Sequence, residues 1–145
     1  MSAILNPYIN LGGQAREALE FYHAALGGTV SIMSFEQGGM AEQVQPDEKD
    51  LVMHGQVDGD NGFTIMVSDS PAHMGGAQPL GGFSVSLSGD DEALLTGLWD
   101  KLSEGGTIVE PLAKAPWGDS FGMFTDKFGV PWMINISATP ATPAA

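Results

Sequence analysis

One histidine lies where its side chain could transfer a proton or bind a ligand. His54 falls in a predicted strand, and the alternation of strand side chains predicts Val52, His54 and Gln56 on one face. There His54 is a candidate catalytic acid or base, or a hydrogen-bond donor to a ligand. A hydrogen-bonded histidine on a strand surface is the simpler interpretation. His23 and His73 share no local motif with it, so the sequence predicts no histidine metal motif.

Two methionines occupy equivalent places in two similar stretches of the chain. Met66 stands four residues after Gly62, and Met133 stands four residues after Gly129, each time in an apolar run that follows a turn. Paired thioethers could select Cu(I), but methionine more often fills irregular apolar cavities. The pairing predicts a chain of two similar halves, with both methionines as candidate ligand contacts.

Three aromatic residues complete the candidate ligand-binding set. Trp117 lies between Pro116 and Gly118, where it could stack on a planar ligand or a cation. It could equally pack as a lid on the core. Phe83 and Phe124 are the other two candidates, although the position of Phe124 in a predicted strand also fits core packing.

Acidic residues dominate the charge of the chain. There are 18 acidic residues and 5 Lys and Arg residues, which gives a net charge of −13. This charge disfavours a nucleic-acid backbone as partner, because binding one requires basic residues. It would attract a cationic ligand, although keeping the protein in solution is its simplest role. The predicted partner is therefore a small molecule and not a nucleic acid.

Several other classes of site and segment are not indicated. The chain has no cysteine, which excludes disulfides and cysteine-ligated zinc or iron–sulfur sites. The first seven residues resemble no signal peptide, and no run approaches 18 apolar residues, so neither export nor a membrane span is predicted. The glycine pairs form no G-x-G-x-x-G phosphate loop. We therefore expect a cytoplasmic location.

The sequence predicts the order strand, helix, strand, strand, strand twice. Each helix is indicated by apolar residues at helical spacing, followed by a glycine pair. In the first half these residues are Ala15, Leu19, Tyr22 and Leu26, before Gly27 and Gly28. In the second half they are Leu94, Leu98 and Leu102, flanked by Leu95 and Trp99, before Gly105 and Gly106.

This order predicts an α+β fold of two tandem βαβββ modules, at about 5–70 and 81–137, within a single domain over 1–137. A longer loop at 36–50 accounts for the extra length of the first module. The two modules are expected to form curved mixed sheets around a shared cleft. Residues 138–145 are predicted to be a disordered tail.

Two motifs, together with the repeat, carry a resemblance to a known family. They are Ala-Leu-Glu-Phe-Tyr at 18–22, followed by Leu26-Gly27-Gly28, and Thr-Asp-Lys-Phe-Gly-Val-Pro-Trp-Met-Ile-Asn at 125–135. The chain resembles the vicinal oxygen chelate superfamily of glyoxalase I, bleomycin-resistance proteins and extradiol dioxygenases over about 5–137. The second motif is most similar to the PhnB-like branch, also described as 3-demethylubiquinone-9 3-methyltransferase-like. That description does not fit, because the chain lacks the glycine-rich turn of a nucleotide-type cofactor site.

The resemblance implies a metal position, but the residues mapped to it are unsuited to a metal. In metal-dependent members, four ligands, usually His or Glu, come from the first and last strands of the two units. The last-strand positions map to Met66 and Met133, and the first-strand positions map near Pro7 and Phe83. A hard divalent ion needs oxygen or imidazole ligands. We therefore predict no metal here and no other cofactor.

The preferred hypothesis is a PhnB-like protein, a homodimer by resemblance, that binds a small apolar or cationic molecule in a metal-free cleft. One alternative is a metal-dependent lyase, isomerase or dioxygenase with other ligands, such as His54, Asp69 or Glu110. A second alternative is a drug-sequestering resistance protein. The identity of the ligand, and whether the chain is catalytic, stay open.

Overall fold

The computed structural model describes residues 3–138. The chain divides into two compact units, the first ending at Pro79 and the second beginning at Leu80. The first unit contains β1 (Tyr8–Leu11), α1 (Ala15–Leu26), β2 (Thr29–Ser34), β3 (Val52–Asp58) and β4 (Thr64–Asp69). The second contains β5 (Val85–Gly89), α2 (Glu92–Ser103), β6 (Thr107–Lys114), β7 (Ser120–Thr125) and β8 (Pro131–Ile136). The two predicted βαβββ modules are confirmed, whereas the tail prediction, apart from Ala138, lies outside the described residues.

Each unit contains one four-stranded mixed sheet. The strand order is β1-β4-β3-β2 in the first sheet and β5-β8-β7-β6 in the second. The pairs β1–β4 and β5–β8 are parallel, and the other neighbours are antiparallel. The α+β class with two mixed sheets is therefore as predicted.

Each helix packs on one face of its own sheet, and a glycine in the sheet makes room for it. In the first unit, a Cβ at Gly55 of β3 would overlap a methyl group of Leu19. In the second unit, a Cβ at Gly122 of β7 would lie 2.6 Å from the Trp99 ring. Within residues 3–138, neither helix is long and apolar enough to cross a membrane. The opposite face of each sheet, turned away from its helix, is called the open face below.

Asp69 connects β4 to the start of α1 and to β3. Its Oδ1 accepts hydrogen bonds from the backbone N–H of Gly13 (2.7 Å) and Ala15 (3.0 Å), and its Oδ2 accepts one from Val52 (3.0 Å). The N-cap residue Gln14 makes no side-chain capping bond, so Asp69 satisfies donors at the beginning of the helix. Asp69, only 4% exposed and engaged in these bonds, is therefore poorly placed to bind a metal.

A bulge in β3 corrects one prediction. Met33 pairs with His54, but the next residue of β2 pairs with Val52, so Met53 is an extra residue in β3. Val52 is 1% exposed and belongs to the helix-facing core, whereas His54 lies half-buried on the open face. The prediction that these two side chains share a face was wrong, because strand alternation is interrupted at a bulge.

Candidate functional site

Tyr8 and His54 contact each other on the open face of the first sheet. The Tyr8 hydroxyl oxygen lies 3.2 Å from Nδ1 of His54, and the ring centroids are 5.6 Å apart. Tyr8 reaches His54 across β4, which separates their strands. No other residue of the described chain forms a hydrogen bond with Nε2 of His54. The imidazole therefore has one oriented and one available nitrogen, and its acid–base role stays a prediction.

The rest of this open face mixes thioether and polar groups. Met66 is half-buried and lies between Tyr8 and Gln56 in the strand register. Nearby, the hydroxyl of Ser68 donates a 2.9 Å hydrogen bond to Oδ1 of Asn10. The face can therefore offer apolar contact and hydrogen bonds to a ligand, and Met66 stays a predicted contact.

The strand register shows which first-strand residues lie opposite the two methionines. Tyr8 lies opposite Met66, and Ser86 lies opposite Met133. The sequence placed these positions near Pro7 and Phe83. For Phe83 the difference arises because β5 begins at Val85, so this residue precedes the strand. The four mapped positions are thus Tyr8, Met66, Ser86 and Met133.

The second unit contains a pocket against the hairpin of β6 and β7. Its volume is about 390 Å³. We call it the hairpin pocket, and its lining residues are Val109, Glu110, Pro111, Ala113, Lys114, Ala115, Pro116, Trp117, Phe121 and Met123. It has the size of a small-molecule site and the mainly apolar lining with few polar groups typical of one.

Trp117 is the most exposed aromatic group of the hairpin pocket. Its side chain is 64% exposed, and its ring meets that of Phe121 edge-on at 5.9 Å. The two rings give a planar ligand an aromatic surface with one face still open to solvent. The core-lid alternative for Trp117 does not fit an exposure of this size.

The turn that carries Trp117 is fixed by Asp119. The backbone N–H of Ala115 donates to the Asp119 carbonyl at 2.7 Å and closes the turn. The Asp119 carboxylate accepts 3.0 Å hydrogen bonds from the N–H of Ala138 and from the side-chain amide of Asn135 in β8. These bonds, that of Ala138 first, lower the pKa of Asp119 below its ordinary value of 3.8. The turn is therefore attached to the neighbouring strand as well as to its own hairpin.

The hairpin pocket carries one side chain of each charge. Glu110 lies opposite Met123 on β7, and Lys114 lies at the end of β6, opposite Ser120. Glu110 is an exposed carboxylate within the lining, close enough in the register to share a ligand with Met123. A ligand cation would find its counter-charge at Glu110.

Two predicted aromatic contacts do not join this pocket. Phe124 is 1% exposed and packs between Trp99 (5.0 Å, edge-on) and Trp132 (6.3 Å, stacked) on the helix-facing side of the sheet. It is a core residue, and we do not retain it as a ligand contact. Phe83 is 43% exposed in the segment before β5 and does not line the pocket.

Sequence reasoning missed three residues that the structure brings into the candidate sites. Tyr8 was detectable, since it alternates with buried Ile9 and so belongs to the opposite face of β1. Phe121 and Met123 lie on the same face of β7. The residues opposite them could not be predicted, because the pairing with β6 shifts register twice.

Comparison with known proteins identifies the class to which this chain belongs. The model of the Glyoxalase/Bleomycin resistance protein/Dioxygenase superfamily matches residues 5–134, and the chain belongs to this superfamily.

Relatives of similar length support this assignment. Protein YjdN of Escherichia coli (strain K12) is 29% identical over 140 residues, which cover 91% of this chain and 94% of that protein. The crystal structure of protein PA1353 from Pseudomonas aeruginosa has a TM-score of 0.80 at 36% identity, covering 94% of this chain and 98% of that one. A PhnB protein from Bacillus cereus, described as a 3-demethylubiquinone-9 3-methyltransferase, has a TM-score of 0.70 at 24% identity, covering 93% and 100%. This last likeness shows the fold.

The four mapped positions do not fit the divalent metal of metal-dependent members. They offer two thioethers, one serine hydroxyl and a tyrosine hydroxyl that contacts His54. Hard divalent ions prefer carboxylate, carbonyl or imidazole ligands. Within residues 3–138, no three His, Asp or Glu side chains come together as a metal-binding group.

Proposed function

We propose that this chain binds a small planar molecule carrying a positive charge in the hairpin pocket, without a divalent metal at the four mapped positions. The observation that supports this most is that the exposed indole of Trp117 and the carboxylate of Glu110 line the same pocket.

Trp117 and Glu110 would both attract a positively charged ligand. An indole face attracts a cation through its quadrupole, which contributes about 0.5–2 kcal/mol depending on solvent exposure. Glu110 adds an opposite charge, and the net charge of −13 raises the local concentration of cations. Lys114 at the pocket rim opposes this attraction and would favour ligands whose charge lies nearer Glu110.

The pocket volume discriminates between the two binding hypotheses. About 390 Å³ lies at the small end of ligand pockets. A molecule of two fused rings suits such a volume better than a large cationic glycopeptide. The pocket therefore favours small-molecule binding over sequestration of a bulky drug.

The proposal can be tested with a pair of isosteric probes, 1-methylquinolinium and the uncharged 1-methylnaphthalene. Each is titrated into protein labelled with ¹⁵N, and the indole N–H signals of Trp99, Trp117 and Trp132 are followed by NMR. We expect the cation to shift the Trp117 signal saturably and to bind more tightly than the uncharged probe. An unsaturable shift, or equal binding of the two probes, would contradict the proposal.

Matched variants locate the binding to the pocket. Trp117→Ala should weaken binding of the cation about 2- to 30-fold, and Met74→Ala, which truncates an equally exposed side chain (64%) in the first unit, should not. Glu110→Gln should weaken binding of the cation by roughly 2- to 5-fold and leave binding of the uncharged probe unchanged. Glu104→Gln, an exposed carboxylate outside the pocket lining, is its control.

We also propose that the chain forms a homodimer in the cytoplasm. The family resemblance and the exposed apolar edge strand β6 support the dimer, since a partner strand would cover such an edge. The absence of cysteine fits a reducing compartment.

A further inference from the structure

Two methionine sulfurs of the first unit converge beside the loop that follows β2. The position that a Cβ of Gly38 would take lies 2.8 Å from Sδ of Met53 and 3.3 Å from Sδ of Met33. The two sulfurs are consequently at most about 6 Å apart. Gly38 lacks the Cβ that would fill this space, so the loop closes over both thioethers without separating them.

The bulge in β3 produces this convergence. Met53 is the extra residue of the bulge, so its side chain is released from the regular alternation of the strand. It is half-buried, whereas Met33 on the neighbouring strand is 44% exposed. The sulfurs are thus sheltered on one side and reachable from solvent on the other.

An imidazole stands next to this pair. His54 follows Met53 directly and pairs with Met33 across the strands, where facing Cβ atoms lie about 4.5–5.5 Å apart. Its Nδ1 contacts the Tyr8 hydroxyl at 3.2 Å. When Nδ1 donates its hydrogen to that oxygen, the lone pair of Nε2 is left for a metal, as in histidine ligands held by an outer partner.

We infer that Met33, Met53 and His54 form a binding site for a soft monovalent ion, Cu(I) or its analogue Ag(I). Thioether sulfur and imidazole are ligands that Cu(I) accepts and that hard cations do not select. Tyr8 acts as a positioning residue that orients the imidazole. This site shares only Tyr8 with the four mapped positions and shares no residue with the hairpin pocket, so it does not rest on the proposed function.

The test uses Ag(I) in chloride-free nitrate buffer, with the methionine methyl groups labelled with ¹³C. The chain has eight methionines, each of which can be assigned by a Met→Leu variant. We expect one equivalent of Ag(I) to shift the methyl signals of Met33 and Met53 and the ring signals of His54, and to leave that of exposed Met74 in place. Weak, simultaneous shifts of all exposed methionines would overturn the inference.

Variants separate the site from general thioether binding. Met33→Leu and Met53→Leu preserve apolar volume but remove a sulfur. Each should weaken Ag(I) binding about tenfold or more, whereas Met74→Leu should not. Tyr8→Phe should weaken Ag(I) binding less than His54→Ala does. It should also broaden the ring signals of His54, a change that is not expected if Tyr8 has a purely structural role. Competition with the Cu(I) chelator bicinchoninate under ascorbate should rank the variants in the same order. Equal affinity in Met33→Leu, Met53→Leu and the unsubstituted chain would refute the site.

Discussion

Asp119 shows how one carboxylate can hold a binding residue in place. It contributes no atom to the pocket lining, yet its hydrogen bonds to Ala138 and Asn135 attach the Trp117 turn to β8. Because both partners donate to the charged form, they stabilise the folded chain only while Asp119 is ionised. The position of Trp117 is therefore expected to depend on pH in the acidic range.

A pH series with Asp119→Asn tests this dependence. The pKa of Asp119 is lowered in the folded chain, so its stabilising contribution is present above the ordinary value of 3.8 and is lost as pH falls through the folded value. The unfolding free energy of Asp119→Asn should thus lie below that of the unsubstituted chain at pH 7, and the difference should shrink below about pH 4. Chemical denaturation at several pH values measures it, with Glu104→Gln as the control for loss of a charge. A difference that stays constant down to pH 3 would contradict the assignment.

At the scale of elements, the contact between α2 and its sheet depends on a missing side chain. A Cβ at Gly122 would approach two ring carbons of Trp99 at 2.6 and 2.7 Å and the backbone of Leu112 at 2.8 Å. The ring also packs edge-on against Phe124, so it has little freedom to move away. The glycine is thus required by packing and not by backbone conformation.

Gly122→Ala should consequently lower the free energy of unfolding by about 1–3 kcal/mol through overpacking. Gly97→Ala is the matched opposite: it lies inside α2, and a Cβ there meets no atom within 4 Å. This variant should stabilise the chain by about 0.5–1 kcal/mol because alanine favours the helix. Thermal and urea unfolding of both variants measure these changes in the free energy of unfolding. Equal stabilities of the two variants would contradict a packing role for Gly122.

Much of the fold was predictable because its determinants are local. Helix periodicity and terminal glycine pairs gave both helices, and turn glycines followed by apolar runs gave the closing strands. In α2, however, Leu95 is buried while Leu94 is half-buried, so a residue predicted to flank the stripe is more buried than one predicted to lie on it. The pattern of apolar residues predicts reliably which helices and strands form. It predicts less reliably which of two adjacent side chains is buried.

The candidate sites were less predictable because they depend on register. Because of the bulge at Met53, Val52 lies on the face opposite to the one predicted. Because β5 starts later than predicted, the residue opposite Met133 is Ser86 and not Phe83. The exposure of Trp117 and its neighbour Phe121 follow from a hairpin whose pairing shifts twice. None of these irregularities has a local sequence signal strong enough to place it in advance.

At the scale of the whole molecule, β6 is the edge that supports the proposed homodimer. It is an edge strand in which Ile108 and Val109 are 45% and 60% exposed. Exposed apolar edges are usually covered by another strand or a partner.

We expect sedimentation velocity to give twice the monomer mass, and Ile108→Lys to shift the equilibrium toward monomer, because a charge would be buried at the covered edge. Ile4→Lys, which alters an exposed isoleucine of the first unit, is the control. A monomer at all concentrations, or a dimer unaffected by Ile108→Lys, would contradict this interface.

The net charge of −13 and the superfamily membership also bear on the whole chain. The charge favours cationic ligands at long range, whereas the four mapped positions lack donors suited to the divalent ion of metal-dependent members. Both features support the proposed binding of a cationic ligand without such a metal.

The most direct test of this account is a calorimetric titration with 1-methylquinolinium. The chain is first stripped with a chelator and then titrated alone and after addition of one equivalent of Zn²⁺, Ni²⁺, Mn²⁺ or Fe²⁺. A metal that makes no contact with the ligand should leave its affinity unchanged, so we predict saturable binding with the same Kd, within about twofold, in every case. Binding that appears only with an added metal would contradict the account, as would the absence of binding under all conditions.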